Sequence, residues 1–551
     1  MIIPLISNKA VCLPEKTQDE IHLFIQYYID PHKHRANENK FCLHANVKHS
    51  DITRVHMLNE RIYTDQELGI KSSKLVQTVI GRRLFYSDIL RYVAEKQIKG
   101  YIIIANSDIL FDATLGNLRS SDIHLEKKMF AQLRCEYNPI DPTLSRLFGP
   151  RADSQDTWIF HTNFGFTPTM EKAFKFAMGK PGCDNKMLYL CSVLGYEVIN
   201  DPDFIHTLHY HLSQQRNYTS KDMIGAPWAL SVPFDYYDQI QSPVYSGYAS
   251  RQDVPQFTDN RVIYEYILSK VSTNSRFIIP RIAGVENTIA HIGQRVLTNT
   301  ATPEMINELS GQKPILHKHA GIIVNDMNHV VEYSQRYMDA FTNCEMYTGW
   351  EKCGSVYNYI REGHDYITTR FSNKKMLWAF ALDIFHYIFN TPWTHALRGK
   401  RVLIVSAFKA SIDEKIPIRA KLYDGVDLFP DCTILTIRPP QTQCDSVSDE
   451  TYFGVYLNEF TKELDKIKDD YDVALVSCGG YGNLVCNHIY NSGKSAIYVG
   501  GTLQMYFGIL GSRWLRERSD ILRMFLNEHW SRPKESEKPP GHQAIEKSCY
   551  W

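Results

Sequence analysis

The chain has 551 residues, 44% hydrophobic and 22% charged, so it is globular and too long for one ordinary core; two or three domains are expected. Lys+Arg and Asp+Glu both total 61, and a formal net charge of zero argues against a nucleic-acid binder that works through bulk charge. Twelve cysteines with no C-x-x-C pair argue against a disulfide framework or a zinc site, and Cys191, Cys478 and Cys486 read as reduced, buried thiols.

The first residues, MIIPLISNKAVCLP, lack the basic and long apolar regions of a signal peptide. Ile21–Asp30 predicts a first strand, Arg35–Lys40 a polar turn and Phe41–Val47 a second strand. A third lies within Asp51–Tyr63 and ends in Asn59-Glu60-Arg61. Arg82–Lys96 has helical spacing of Leu84, Ile89, Leu90, Val93 and Ala94. The stretch Tyr101–Asp112, YIIIANSDILFD, organises this half: strand formers Tyr101–Ile104 break into Ala105-Asn106-Ser107-Asp108. A buried strand that ends in a carboxylate places it at the sheet rim where α/β ligands sit. An acid there can hold a hard cation, and the cation a diphosphate. The same residues also read as a strand ending in a turn, with Asp108 capping the next helix.

Further polar clusters lie downstream. Ala131–Tyr137 predicts a strand carrying Arg134. Gly149–Trp158, GPRADSQDTW, gathers Arg151, Asp153, Gln155 and Asp156 ahead of an apolar run. Gly179–Lys186, GKPGCDNK, is a turn with Asp184 and Asn185 opening a helix. Then come His206, His209, His211 and Arg216-Asn217-Tyr218. Singly these read as solvated loops, a helix cap and surface histidines. Together they suggest one shared cleft, because polar groups beside apolar strands are costly to bury unpaired.

In their order, ANSDIxFD, a later LR, RADSQDTW, GKPGCDN and HxH-x-x-x-x-RNY resemble glycosyltransferases of the GT-A fold over roughly the first 230 residues. That resemblance implies a D-x-D-like corner at Asn106-Ser107-Asp108 for the donor diphosphate and Mn2+ or Mg2+, with Asn in place of the first acid. It implies a late histidine on the metal, His211 with His209 as fallback. It also implies a base at Asp156 with Asp153 behind it. Arg134, Arg151, Asp184, Asn185 and Arg216 complete the expected donor site. An inverting transfer needs such a base and positive charge on the leaving diphosphate; a retaining one relaxes the need for the base.

Residues 227–255 are rich in Pro, Ser, Tyr and Asp without periodicity, so a boundary is placed there: 1–250 and 251–551. Arg261–Val271 predicts a helix, Arg276–Pro280 a strand, and residues 303–389 read mostly helical. Their most apolar stretch, Leu377–Phe389, is interrupted by Asp383 and His386 and is too short to span a bilayer. From Gly399, strands at Lys400–Ser406, Cys432–Ile437, Tyr471–Cys478 and Ser495–Val499 alternate with helices at Val455–Ile467 and Leu484–Tyr490, which predicts a parallel sheet. Gly479-Gly480-Tyr481-Gly482-Asn483 joins a strand to a helix, where backbone N–H groups can cradle a phosphate or simply let the two pack closely. It is not G-x-G-x-x-G, which argues against a dinucleotide site. Arg281-x-x-x-x-Glu286, the GKRVLIVSAF strand with Ile412 and Arg419 beyond it, and the GKSAIYVGG strand resemble the GT-D type of glycosyltransferase over roughly 260–530. That resemblance implies a catalytic acid at Glu286, which also belongs to a donor site with Arg281 and the glycine loop, with Gly284 where a second acid is expected and no certain cofactor. The polar, Pro-rich Glu528–Trp551 closes on Cys549-Tyr550-Trp551, which look made to dock.

The whole reads as an α/β chain of two nucleotide-binding-type domains, a GT-A-like mixed sheet and then a GT-D-like parallel sheet with a helical insert. The expected function is hexosyl or pentosyl transfer from nucleotide sugars to a growing glycan or polysaccharide, by one or both domains, in a cytoplasmic protein without a membrane span or nucleic-acid partner. The alternatives are a degenerate scaffold that binds nucleotide sugar or glycan, and an NAD-dependent sugar-modifying enzyme.

Overall fold

Short runs of β-branched and aromatic residues build the chain's main sheets, and helices cover them. The computed structural model describes residues 2–3, 13–149, 151–216, 218–237, 259–350, 354–383, 388, 391–447, 450–545 and 548–551. Asn217, most of the expected boundary segment and part of the apolar stretch 377–389 fall outside them. The chain divides into two compact units, Met1–Asp253 and Val254–Trp551.

In the first unit, β1 (Ile2–Ile3) precedes β2 (Ile21–Ile25), α1 (Lys33–Lys48), β3 (Arg54–Asn59), α2 (Asp65–Leu68), β4 (Leu75–Val79), α3 (Tyr86–Glu95) and β5 (Tyr101–Ala105). Next come β6 (Ile109–Leu110), β7 (Lys128–Leu133), β8 (Cys135–Glu136), β9 (Arg146–Leu147) and β10 (Gln155–His161). After α4 (Pro168–Glu171) and α5 (Cys183–Val193), β11 (Glu197–Ile199), β12 (Leu208–His209) and β13 (Leu230–Ser231) end the unit. The main sheet has seven strands in the order β11-β7-β10-β5-β2-β3-β4. β2, β3, β4 and β5 run parallel, and β10 runs antiparallel to both its neighbours, so the sheet is mixed. All five residues of β5 are buried; removing each isoleucine from water contributes about 1.5–3 kcal/mol. A second, four-stranded sheet, β6-β12-β8-β9, rises from the chain just past β5.

Three sequence expectations fail in this unit. Arg35–Lys40 is not a turn and Phe41–Val47 is not a strand: both lie in α1. The alternation of Phe41, Leu43 and Val47 looks like a strand, but the buried stripe is Arg35, Glu38, Asn39, Cys42, Leu43, Asn46 and Val47, at helical spacing. A helix that buries arginine, glutamate and asparagine has almost no apolar periodicity to read. The Ala131–Tyr137 strand is broken at Arg134 into β7 and β8.

The second unit runs α6 (Asp259–Ser272), β14 (Ile278–Ile279), α7 (Val285–Leu297), α8 (Pro303–Ile315), α9 (Met327–Asn343), β15 (Met346–Gly349), α10 (Gly354–Arg370) and β16 (Lys375–Trp378). Then come β17 (Arg401–Ser406), α11 (Lys409–Lys415), β18 (Thr433–Ile437), α12 (Phe453–Lys466), β19 (Val473–Ser477), α13 (Gly482–Asn491) and β20 (Ser495–Tyr498). The five-stranded sheet, β14-β20-β19-β17-β18, is parallel throughout. A helical insert separates β14 from β17 and carries a parallel pair, β15 and β16, that the mostly helical reading of 303–389 misses. The described cysteines are all free, with Cys191, Cys478 and Cys486 buried. Among the described residues no helix is long and apolar enough to cross a membrane.

Candidate functional site

In the first unit β3 and β4 extend the sheet on one side of β2, and β5 lies on the other. The order therefore reverses between β2 and β5, and ligands of open α/β sheets bind outside the strand ends at such a point. A cleft of about 830 Å³ opens there. Gln26, Tyr28 and Ile29 line it from the end of β2, Glu60 and Tyr63 from β3, and Asn106, Ser107 and Asp108 from β5.

Asp108 is buried, and three basic groups face one of its oxygens. Arg35 of α1 donates from Nη2 to Oδ2 at 2.5 Å. His209 Nε2 lies 3.1 Å and His211 Nδ1 3.8 Å from the same atom. Burial alone would raise the carboxyl, but His209 and Arg35 hold it well below the usual carboxylate range. The other oxygen, Oδ1, is buried without a hydrogen-bond partner. His209 Nδ1 lies 3.1 Å from Glu136 Oε2, and despite its own burial the imidazole is raised to about 9 by Asp108 and Glu136. The expected metal histidine, His211, and its fallback, His209, are thus both here, whereas His206 pairs with Asp112 at 2.7 Å.

A second carboxylate continues the series. Arg134 donates to Glu136 Oε1 at 2.8 Å and to Asp156 Oδ2 at 2.9 Å. Asn106 Nδ2 donates to Asp156 Oδ1 at 3.0 Å, so both oxygens of Asp156 are engaged. Arg35, Asp108, His209, Glu136, Arg134 and Asp156 therefore alternate in charge along the cleft. Asp153 is paired instead with exposed Arg151 at 2.8 Å. Asp184 faces the cleft from the first turn of α5; burial, with Asp156 nearby, pushes its carboxyl up to about 7. Asn185 exchanges hydrogen bonds with Ala229, and Arg216 donates to Tyr218 Oη at 2.9 Å; both residues line the cleft.

Sequence reasoning missed Arg35, Glu38, Glu136 and Arg83. Arg83 turns back to the carbonyls of Met178 and Gly179. Arg35 and Glu38 sit one turn apart in a helix without an apolar stripe, and that polar spacing was the available signal. Glu136 stands two residues from Arg134 on the same short stretch.

The donor set fits a divalent cation. Ligand atoms of Asp108, His209 and His211 lie within 4.8 Å of one another, and an unsatisfied buried carboxylate oxygen belongs to the group. Two imidazoles and one carboxylate suit Mn2+ better than Mg2+, which favours oxygen ligands.

The second unit has a cavity of about 460 Å³ at the carboxyl ends of its sheet. β18 lies on one side of β17 and β19 on the other, so this too is a reversal point. Ala407 and Phe408 after β17, and Ser477, Cys478 and Gly479 after β19, line it. Arg281 lines it from beyond β14, donates from Nη1 to the Val499 carbonyl at 2.6 Å and lies 5.1 Å over the Trp350 ring. Burial raises the Glu286 carboxyl. Of the glycine loop, only Gly479 reaches the cavity. A Cβ on Gly480 would lie 2.3 Å from Ile322, and one on Gly482 2.3 Å from the Tyr498 ring. Tyr481 is buried against Thr442, and Asn483 clasps the backbone of Arg281. Close packing explains Gly480, Tyr481, Gly482 and Asn483. Tyr550 and Trp551 dock on the cavity wall, beside Phe408 and Arg513.

No protein-family model matches the chain, and no curated protein sequence matches it. Among solved structures it is similar to GalNAc-T7 with UDP, GalNAc and Mn2+, at 10% identity and a TM-score of 0.26, over 35% of this chain and 44% of that one. It is also similar to the mannosyltransferase PcManGT from Pyrobaculum calidifontis in complex with GDP-Man and Mn2+, at 13% identity and a TM-score of 0.27, over 39% of this chain and 63% of that one. The chain spans less than two thirds of either neighbour's length. At these scores the functional reading rests on the cleft's own geometry.

Proposed function

We propose that the first unit is a metal-dependent glycosyltransferase domain that moves a sugar from a nucleotide diphosphate donor to a glycan hydroxyl. One observation carries this reading: a buried aspartate with a free oxygen meets two histidines at the switch-point crevice, beside arginines and carboxylates. Asp108, His209 and His211 would hold Mn2+, which when bound supplies positive charge for the donor diphosphate. Arg134 orients Asp156, and the cleft excludes bulk water from the buried part of the site. We assign proton removal from the acceptor hydroxyl to Asp184 in preference to Asp156. Asp156 has both oxygens engaged by side chains, whereas Asp184 faces the cleft without an ion-pair partner among the described residues, its carboxyl raised to about 7, where a general base works best.

The second cavity is proposed as a second donor site. It sits at its own reversal point and holds Arg281 and Glu286, and neither has an ion-pair partner among the described residues. Thermal shift and calorimetry of the full chain against nucleoside diphosphates and nucleotide sugars, with and without Mn2+, test both assignments, because a ligand of the native state raises its stability. Binding that needs Mn2+ and is lost with Asp108→Ala supports the first. Binding that needs no metal and is lost with Arg281→Ala supports the second. Binding without transfer or slow hydrolysis of the donor would instead favour a nucleotide-sugar-binding scaffold.

A further inference from the structure

We infer that Arg35 is a built-in competitor for the divalent cation: its guanidinium holds Asp108 when the ion is away and must release it when the ion arrives. This rests on the metal assignment above and goes beyond it. The contact is short and buried, Nη2 to Oδ2 at 2.5 Å, and it occupies the oxygen that His209 and His211 also face. A cation there would meet an existing positive charge within ion-pair distance, and in a buried site that repulsion is weakly screened. At Asp108 the exchange replaces one positive charge by two, while the guanidinium stays nearby on Glu38. The empty site needs Arg35 because a buried carboxylate that loses one of its cationic partners is costly. The loaded site has the ion for that purpose.

The geometry also provides somewhere for the guanidinium to go. Arg35 Nη1 already lies 3.3 Å from Glu38 Oε2, one turn along α1. Glu38 is fixed in turn by Ser213, whose backbone N–H and hydroxyl both donate to it at 2.7 Å. Ser213 follows His211 in the same segment, so the waiting carboxylate is anchored to the metal loop. Arg35 Nε is buried without a partner, so the present position does not satisfy the whole guanidinium. A shift of the side chain from Asp108 toward Glu38 keeps the arginine paired and frees Oδ2, the oxygen both histidines face, for the ion. The role of α1 is then to set how tightly the cation binds.

The test is a Mn2+ titration of the full chain with no nucleotide present, with free Mn2+ read from its electron paramagnetic resonance signal. Arg35→Met keeps the stem and removes the competing charge; it is expected to bind Mn2+ at least tenfold more tightly than the unaltered chain. Equal or weaker binding overturns the inference. Adding Asp108→Asn to Arg35→Met is expected to abolish the tight binding; if the tight binding persists, the ion is elsewhere and the inference fails. Because Arg35→Met takes one cationic partner from each of Glu38 and Asp108, thermal melting of it and of Arg35→Met with Glu38→Gln is read alongside. Mn2+ should raise their melting temperatures more than that of the unaltered chain, and an equal or smaller rise overturns the inference. A chain that behaves as expected with Mn2+ yet binds no nucleotide sugar would overturn the transferase reading alone.

Discussion

Arg35 and its neighbours in the first cleft, and Arg281 and Glu286 in the second cavity, hold their buried charge in opposite ways. In the first, Arg35, Asp108, His209, Glu136, Arg134 and Asp156 form an unbroken alternation, each group held by the next at 2.5–3.1 Å. In the second, Arg281 leans on a carbonyl and a Trp350 ring, and Glu286 has no cation within ion-pair distance among the described residues. The first cleft is organised before anything binds, so its ligand must exchange with existing pairs. The second cavity leaves two charges for an incoming ligand to satisfy. Arranged buried pairs are costly to break singly, whereas an unpaired buried charge is already a cost to the fold.

The largest effect should therefore come from breaking the first alternation. Asp108→Ala leaves Arg35 and His209 without their common acceptor; a loss of about 3–5 kcal/mol of stability is expected from urea unfolding. Metal-dependent donor hydrolysis should fall by about 10²–10³-fold or more. A stability loss below 1 kcal/mol would show that the pairs are not working as a buried unit.

Next is Asp184→Asn. Donor transfer should fall by about 10²–10⁴-fold, and the rise of rate through about pH 7 should disappear. The stability sign is opposite. The folded carboxyl, at about 7, holds its proton longer than an unfolded aspartate near 3.9. The native form thus loses stability as pH rises from about 4 to 7 and then levels off. The asparagine variant lacks that loss and should gain up to about 2 kcal/mol at pH 8 relative to pH 4, allowing for water in the cleft. A gain at pH 8 with unchanged rate would return the base assignment to Asp156.

Much of this contrast was legible in the sequence, though unevenly. The strand Tyr101–Ala105 and its exit through Asn106, Ser107 and Asp108 stand out because a run of isoleucines ends abruptly in polar residues. The parallel strands from Arg401 onward are equally plain, since fully buried strands read as continuous apolar runs. Helix α1 was hidden because its buried face carries Arg35, Glu38 and Asn39, and hydrophobic periodicity is blind to polar burial. Arg35 reaches Asp108 across 73 positions, a pairing that local spacing cannot specify. The glycine loop misled for the opposite reason: glycines that admit a phosphate and glycines that admit Ile322 or Tyr498 look alike before the neighbours are placed.

Glu286→Gln probes the other side of the comparison with a smaller effect. Burial raises this carboxyl, so the charge disfavours the folded state once pH passes the ordinary glutamate value near 4.3. The glutamine variant should be more stable than the unaltered chain at pH 8, with the advantage shrinking as pH falls toward 4. Calorimetric unfolding at several pH values reads this. A destabilised variant would mean that Glu286 is already satisfied as a carboxylate and that the second cavity is as well paired as the first.

Arg151→Ala should have the smallest effect, and it tests where the ordered charges stop. Arg151 pairs with Asp153 at the cleft mouth, and both side chains are more than two-fifths exposed. Such pairs are worth about 0–1 kcal/mol because water screens them and two long side chains lose freedom to form them. Stability should change by about 0.5 kcal/mol or less. Arg151 and Arg134 both lie over the Phe148 ring, at 5.0 and 4.1 Å, but only Arg134 reaches Asp156. Nucleotide affinity should therefore fall slightly with Arg151→Ala, and only at low salt, but strongly at all salt concentrations with Arg134→Ala. Equal losses from the two variants would extend the ordered site to the solvent rim. Unequal losses confine it to the buried alternation that begins at Arg35.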